Sequence, residues 1–186
     1  MDHHDHVILL SPAKLKSGGT WADFGAGNGA FTLALRELIG PGAQIHAVDK
    51  DRASLKELER AHRARFRSTE NLCLIPKDFS LALDLPLLDG VLMANSLHFF
   101  KDREKVLRHG ASFLKPNGIL LIVEYNLDSG NPWVPYPFSF ESFRSLALQA
   151  GLTEPRLLAK HPSSFLKEFY SATAHRALFH RQPYSR

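Results

Sequence analysis

The feature that most constrains this chain is a strand-like run that ends in a glycine turn and opens directly into a helix. Thr20 to Phe24 (TWADF) leads into GAGNG, and the residues that follow place Phe31, Leu35 and Leu38 on one helical face. A turn this tight lets a ligand approach bare backbone. Apolar runs and helix-period segments keep alternating down the chain, the pattern of βαβ units and a parallel sheet. With 186 residues there is room for one well-cored domain and too little for two ordinary ones.

Gly40-Pro41-Gly42 stops the first helix, and a second strand follows over Gln44 to Val48. A charged helix from Arg52 to Phe66 carries Leu55, Leu58 and Phe66 at core spacing. The third strand is expected over Leu72 to Pro76 and the fourth over Gly90 to Ala94. The next helix, Asp102 to Leu114, packs Val106 and Phe113 and ends in KPNG, where Gly118 supplies a positive φ. Ile119 to Tyr125 is the most apolar run and belongs mid-sheet, buried on both faces. A proline-rich ordered loop then leads to a helix over Phe140 to Ala150. Strands over Pro155 to Ala159 and Phe169 to His175 form an antiparallel hairpin at the sheet edge. Residues 177–186 read as a tail, and 1–19 as a short N-terminal segment of the single domain.

The net charge of +4 permits an acidic partner without requiring one. The densest cluster, ERAHRARFR from Glu59 to Arg67, reads as a solvated helix face, with an RNA-contacting patch as the alternative. No run of about 18 uncharged apolar residues occurs, so no membrane span is expected. The first residues lack the basic start and long apolar core of a secretory signal. Cys73 is the only cysteine, which rules out an internal disulfide, fits a reducing cytoplasm and reads as a small core residue. His3, His4 and His6 sit on an exposed start that would hold a metal only loosely, so no metal site is expected.

Gly25, Ala26, Gly27 and Gly29 form the close-approach turn. Asp49, at the end of the second strand, is placed to accept hydrogen bonds from both ribose hydroxyls of an adenosine ligand. GAGNGA also matches the dinucleotide fingerprint, with Ala30 in the third small position, so the glycines alone do not separate a nicotinamide enzyme from a methyltransferase. Three features tip the balance. Asp23 stands two residues before the first glycine, Asp78 and Phe79 follow the third strand where an adenine would sit, and no substrate domain follows the fold.

With these motifs in order, the sequence resembles a class I S-adenosylmethionine-dependent methyltransferase, of the broad group that includes ubiquinone- and menaquinone-methylating enzymes. ADFGAGNG matches the glycine loop, AVDKD the ribose-binding acid, PKDF the adenine contact, LDGVLMANSLHFF the fourth-strand segment, and LKPNGILLIVEY the turn and fifth strand. The resemblance runs from about Gly18 to His175. It implies a Rossmann-like three-layer α/β sandwich whose seven-stranded, mostly parallel sheet has the order 3-2-1-4-5-7-6, with strand seven antiparallel. It also implies S-adenosylmethionine as methyl donor, S-adenosylhomocysteine as product and a small-molecule acceptor. A non-catalytic cofactor-binding module and an RNA methyltransferase are the alternatives, and a homodimer is compatible with the pattern.

Methyl transfer from a sulfonium is an in-line displacement, so orientation is the main task, and a base is needed only where the attacking atom carries a proton. His98 lies beside the mouth at the end of the fourth strand and is the leading base candidate. Tyr125, closing the fifth strand, is placed to orient substrate, and Glu124 to satisfy neighbouring backbone groups. Asn95 is positioned to hold the methionine portion of the cofactor, and Lys50 to flank the adenine. Trp133 and Tyr136, held among prolines, suit an apolar or planar acceptor. Fewer than 20 residues precede the first strand, against whole helices in larger members. The site is therefore open, covered by DHVILL, or completed by a second subunit.

Overall fold

The computed structural model describes residues 1–177. Its strands are β1 (Thr20–Phe24), β2 (Gln44–Val48), β3 (Leu72–Ile75), β4 (Leu88–Ala94), β5 (Leu114–Tyr125), β6 (Leu152–Pro162) and β7 (Glu168–Arg176). They form one sheet in the order β3-β2-β1-β4-β5-β7-β6. Neighbours run parallel from β3 to β5, and β7 is antiparallel to both β5 and β6. The helices are α1 (His3–Leu10), α2 (Ala30–Ile39), α3 (Arg52–Phe66), α4 (Arg103–Ser112) and α5 (Phe140–Gln149). The chain reverses its lateral direction between β1 and β4, and the carboxyl ends of those strands border a crevice where α/β sheets bind ligands.

Alternation along the strands sorts the core into two layers. Leu9 and Leu10 of α1 and Phe31, Leu35 and Ile39 of α2 pack on Trp21, Ile45, Leu92 and Leu121, while Leu55 and Leu58 of α3 meet Ala47. On the opposite face, Val106 and Leu107 of α4 and Phe143 and Ala147 of α5 cover Ala22, Phe24, Val91, Met93 and Ile122. Each fully buried aliphatic or phenyl side chain stabilises the fold by roughly 1.5–3 kcal/mol. Short polar side chains set the helix starts: Asp51 caps α3, Asp102 caps α4 and Ser139 caps α5 through backbone amides.

Several boundaries differ from the sequence reading for identifiable reasons. α1 was not foreseen; a reciprocal capping box between Asp2 and Asp5 starts it, and the sheet gives its apolar end somewhere to bury. Leu114 opens β5 rather than closing α4, and the KPNG segment lies inside β5 at an irregularity in the β4–β5 register. There the left-handed residue is Asn117, with φ 61°, and not Gly118. Gly118 is needed for space instead, because a Cβ would fall 2.8 Å from the Lys115 carbonyl oxygen. β6 is longer than expected because an edge strand tolerates Pro155. Cys73 is only half-buried, since β3 is the opposite edge. β7 ends at Arg176, immediately before the expected tail, and residues 178–186 of that tail lie outside the described residues.

Candidate active site

The glycine turn is built by the strands beneath it. The amides of Gly25 and Ala26 both donate to the Val48 carbonyl, at 2.8 and 3.2 Å, tying the end of β1 to the end of β2. Gly25 has φ 81°, and a Cβ there would lie 2.4 Å from that of Ser96, so neither backbone nor space admits a side chain. Gly29, expected as a ligand contact, serves packing: a Cβ would stand 2.6 Å from Leu58 Cγ, and it is the N-cap of α2. Ser96 locks the floor by donating its hydroxyl to the Phe24 carbonyl at 2.7 Å.

Two adjoining cavities of about 240 Å³ each open here and share Gly25 and Asn95. The first brings together Asp49, Lys50, Asp78, Phe79 and Asn95, all named from the sequence, with Ser96, Phe99 and Phe100, which were not. The second is lined by Asp23, Ala26 and Gly27 together with His6, Phe31 and Met1. Thus α1 places Met1 and His6 beside the glycine loop. His3 is drawn to Glu37 at 2.8 Å and His6 to the Phe31 ring. Among the described residues no group of three or more His, Cys, Asp or Glu side chains is arranged to hold a metal ion.

Charge in the cleft is arranged by hydrogen bonding. Asp49 accepts from Gly27 N–H through Oδ2 and from Asp51 N–H through Oδ1, both at 2.8 Å. Each oxygen keeps a lone pair for a ligand hydroxyl. Asp78 accepts from the Ser80 amide and hydroxyl. Burial works to raise its pKa, but those bonds and Lys50 outweigh it and hold the carboxyl below its usual range. Asp23 is the opposite case: burial pushes it up to about 7, with the Thr32 hydroxyl at 2.6 Å opposing and Asp49 adding to the rise. Asn95, in a left-handed conformation at φ 52°, has a buried side-chain oxygen with no protein partner.

After β4, His98 sits in a short 3-10 turn (Leu97–Phe99), is 3% exposed and does not line either cavity, though its neighbour Phe99 lines the first. Its Nδ1 lies 2.6 Å from Oε2 of Glu124, which is fully buried. Its ring contacts those of Phe99 and Tyr125. Tyr125 is raised above its ordinary pKa by burial and then by Glu124, so it stands as a neutral phenol. Trp133 is 71% exposed and Tyr136 partly so, and neither lines the two cavities. Phe165, 52% exposed in the β6–β7 connection, meets the rings of both Trp133 and Tyr125. The sequence carries no signal for that meeting, because it depends on how the terminal hairpin folds back.

The chain matches the family model described as a methyltransferase domain over residues 22–120, more than half its length. It belongs to the class I S-adenosylmethionine-dependent methyltransferase family. The matched span of this methyltransferase domain begins in β1 and ends in β5, so it covers the first cavity and all of the second except Met1 and His6. A ubiquinone/menaquinone biosynthesis C-methyltransferase from Hahella chejuensis is 26% identical over 147 residues, which is 78% of this chain and 58% of that protein. The methyltransferase chain thus spans less than two thirds of that relative's length. Among solved structures, the YcgJ protein of Bacillus subtilis superposes with a TM-score of 0.76 at 15% identity, covering 95% of this chain and 99% of that one. The Burkholderia thailandensis 1,6-didemethyltoxoflavin-N1-methyltransferase, solved with its substrate and S-adenosylhomocysteine, gives 0.74 at 19% identity over 95% and 79%. Both likenesses show the same fold.

Proposed function

We propose that the protein transfers a methyl group from S-adenosylmethionine to a small-molecule acceptor. The observation that carries this reading is the pair of cavities that meet at Gly25 and Asn95. One end offers a carboxylate and an apolar ring for an adenosine, through Asp49, Asp78 and Phe79. The other offers bare backbone at Ala26 and Gly27, the carboxyl of Asp23 and the unpartnered amide oxygen of Asn95. A buried acceptor without a donor is costly to leave unmade, and an α-ammonium supplies the donors Asn95 lacks. The donor, when bound, supplies a methyl group on a positively charged sulfur.

The residues of this chain then orient and shield. Gly25 and Gly29 hold the turn, Lys50 borders the adenine end, and Asn95 fixes the amino-acid end. His98 is the group to take a proton from the acceptor, with Tyr125 beside it to orient. Trp133 and Tyr136 border the approach and suit a flat or apolar molecule. No helix of the described residues is long and apolar enough to cross a membrane, and the lone Cys73 supports a cytoplasmic setting. All of these residues lie on one chain, so a homodimer, which sedimentation equilibrium reads, would not be needed to complete them.

The test is titration calorimetry with S-adenosylmethionine and with a nicotinamide dinucleotide, followed by methyl transfer from labelled donor into a small-molecule cell extract. Binding of the first compound alone, with label appearing in a discrete product, is expected. Cofactor binding with no labelled product would reduce the protein to a binding module, and dinucleotide binding alone would defeat the reading.

A further inference from the structure

Glu124 does more than the backbone satisfaction its sequence position suggests. It lies at the carboxyl end of β5, beside β4, with no exposed surface. Two backbone amides and a ring nitrogen converge on its carboxyl group. The amides of Leu97 and His98 donate to Oε1 at 3.0 and 3.3 Å, and His98 Nδ1 stands 2.6 Å from Oε2. Both amides fall on Oε1, so an ionised Glu124 can only accept at Oε2, and the short contact to His98 then takes its hydrogen from the imidazole. That assigns the ring the Nδ1–H tautomer and leaves Nε2 with the lone pair. A buried charge remains tolerable only when hydrogen-bonded in this way.

Tyr170 faces Glu124 across the β5–β7 ladder, and its phenol is pushed well above the ordinary value by burial and by Glu124 and Asp128, with Arg103 opposing. Tyr125, next in the chain, is likewise raised. Both stay neutral and leave His98 as the partner of Glu124. The ring it holds contacts Phe99, which lines the first cavity, and Tyr125, which meets the exposed Phe165.

We propose that Glu124 is a positioning residue that fixes His98 as a proton acceptor at Nε2, which restricts the acceptors to small molecules whose attacking oxygen or nitrogen carries a proton. This rests on the methyltransferase reading. As the acceptor's lone pair forms its bond to the methyl carbon, the carbon–sulfur bond breaks with its electron pair left on sulfur. The acceptor's proton passes to Nε2, and the resulting imidazolium is stabilised through Nδ1–H by Glu124. The pair later returns the proton to solvent.

The first measurement needs no turnover: nitrogen-15 NMR of the imidazoles in the wild-type protein, with His98→Gln to assign the signal. A protonated Nδ1 and bare Nε2 are expected, and the opposite tautomer would overturn the proposal whatever the variants do. Glu124→Gln then replaces the anionic acceptor with a neutral amide, whose melting curve reports whether the fold holds. We expect a loss of the Nδ1–H signature and a fall in kcat of roughly 10²–10⁴-fold, the usual worth of a general base. KM and the affinity for S-adenosylmethionine should stay within about threefold. Labelled product formed as fast by the folded Glu124→Gln protein as by the wild type would overturn the role of Glu124 alone. Label appearing only on carbon would overturn the restriction to proton-bearing oxygen or nitrogen while leaving the methyltransferase reading intact, and a wild type that binds the donor but labels no compound at all would defeat that reading.

Discussion

The donor half and the acceptor half of the site are built on opposite plans. Around β1, β2 and α2 the named groups are tied to neighbouring strand and helix ends: the Gly25 amide to the Val48 carbonyl, Asp49 to the Gly27 amide, and Asp23 to the Thr32 hydroxyl. Around the carboxyl end of β5 and the amino end of β7, rings from separate segments stand partly in solvent and meet edge to face, as Trp133, Phe165 and Tyr125 do. A rigid, backbone-made pocket suits a ligand that never changes. An exposed aromatic rim suits one that differs among proteins of the same fold, because exchanging its side chains leaves the core intact.

Substitutions test that division, beginning with the largest effect. Gly25→Val places a branched side chain at φ 81°, where even a Cβ would meet Ser96. Left-handed strain and overpacking, each roughly 1–3 kcal/mol, should together cost up to roughly 6 kcal/mol. Calorimetry should find S-adenosylmethionine affinity down more than about 100-fold, and an unaltered affinity would break the contrast at its root.

Asp23 gives the next effect, and it depends on pH. Its folded pKa of about 7 lies above the ordinary aspartate value of 3.8, so between the two the native state holds a proton that the unfolded state has released. Stability from this group is full below pH 4 and is lost as pH rises through 7, by roughly 4 kcal/mol at about 1.4 kcal/mol per unit. Asp23→Asn should flatten that part of the profile in denaturant titrations between pH 4 and 8. A variant profile parallel to the wild type would show that Asp23 does not titrate there. The same ionisation should make donor binding near pH 6.5 release a proton, visible as a buffer-dependent heat.

Asp49→Ala should weaken donor binding by roughly 1–3 kcal/mol, as loss of a charged hydrogen-bond acceptor does, and full retention would remove it from the ribose role. The smallest effect belongs to the rim. Trp133→Ala and Phe165→Ala should each leave stability within about 0.5 kcal/mol and donor affinity unchanged while raising KM for the acceptor. Either variant melting several degrees early would mean that these rings are core after all.

The same division explains what the sequence could say. Asp23, Gly25, Asp49 and Asp78 lie within a few residues of a strand end, so their meeting follows from strand order once the βαβ pattern is recognised. β1, β2 and α3 have the expected bounds because glycine, proline and aspartate punctuate them. Phe165 reaches Tyr125 only through the register of a hairpin that begins beyond α5, a relation with no local trace. Glu124 was visible as a strand-end acid, yet its hold on His98 depends on the 3-10 turn after β4 swinging back over β5. α1 was missed because its 8 residues are too few to be stable alone, and tertiary burial of Leu9 and Leu10 decides the matter.

The loop between β5 and α5 buries Val134 and Phe138, whereas around position 136 it is moored by main-chain atoms. Tyr136 donates its amide to the His98 carbonyl, and Arg103 reaches the carbonyls of Tyr136 and Pro137. Such moorings are indifferent to which side chains the loop displays. A designer, or natural drift, can therefore rewrite positions such as 133 and 136 without unseating the segment, and new acceptors come within reach of a catalytic apparatus that has not moved.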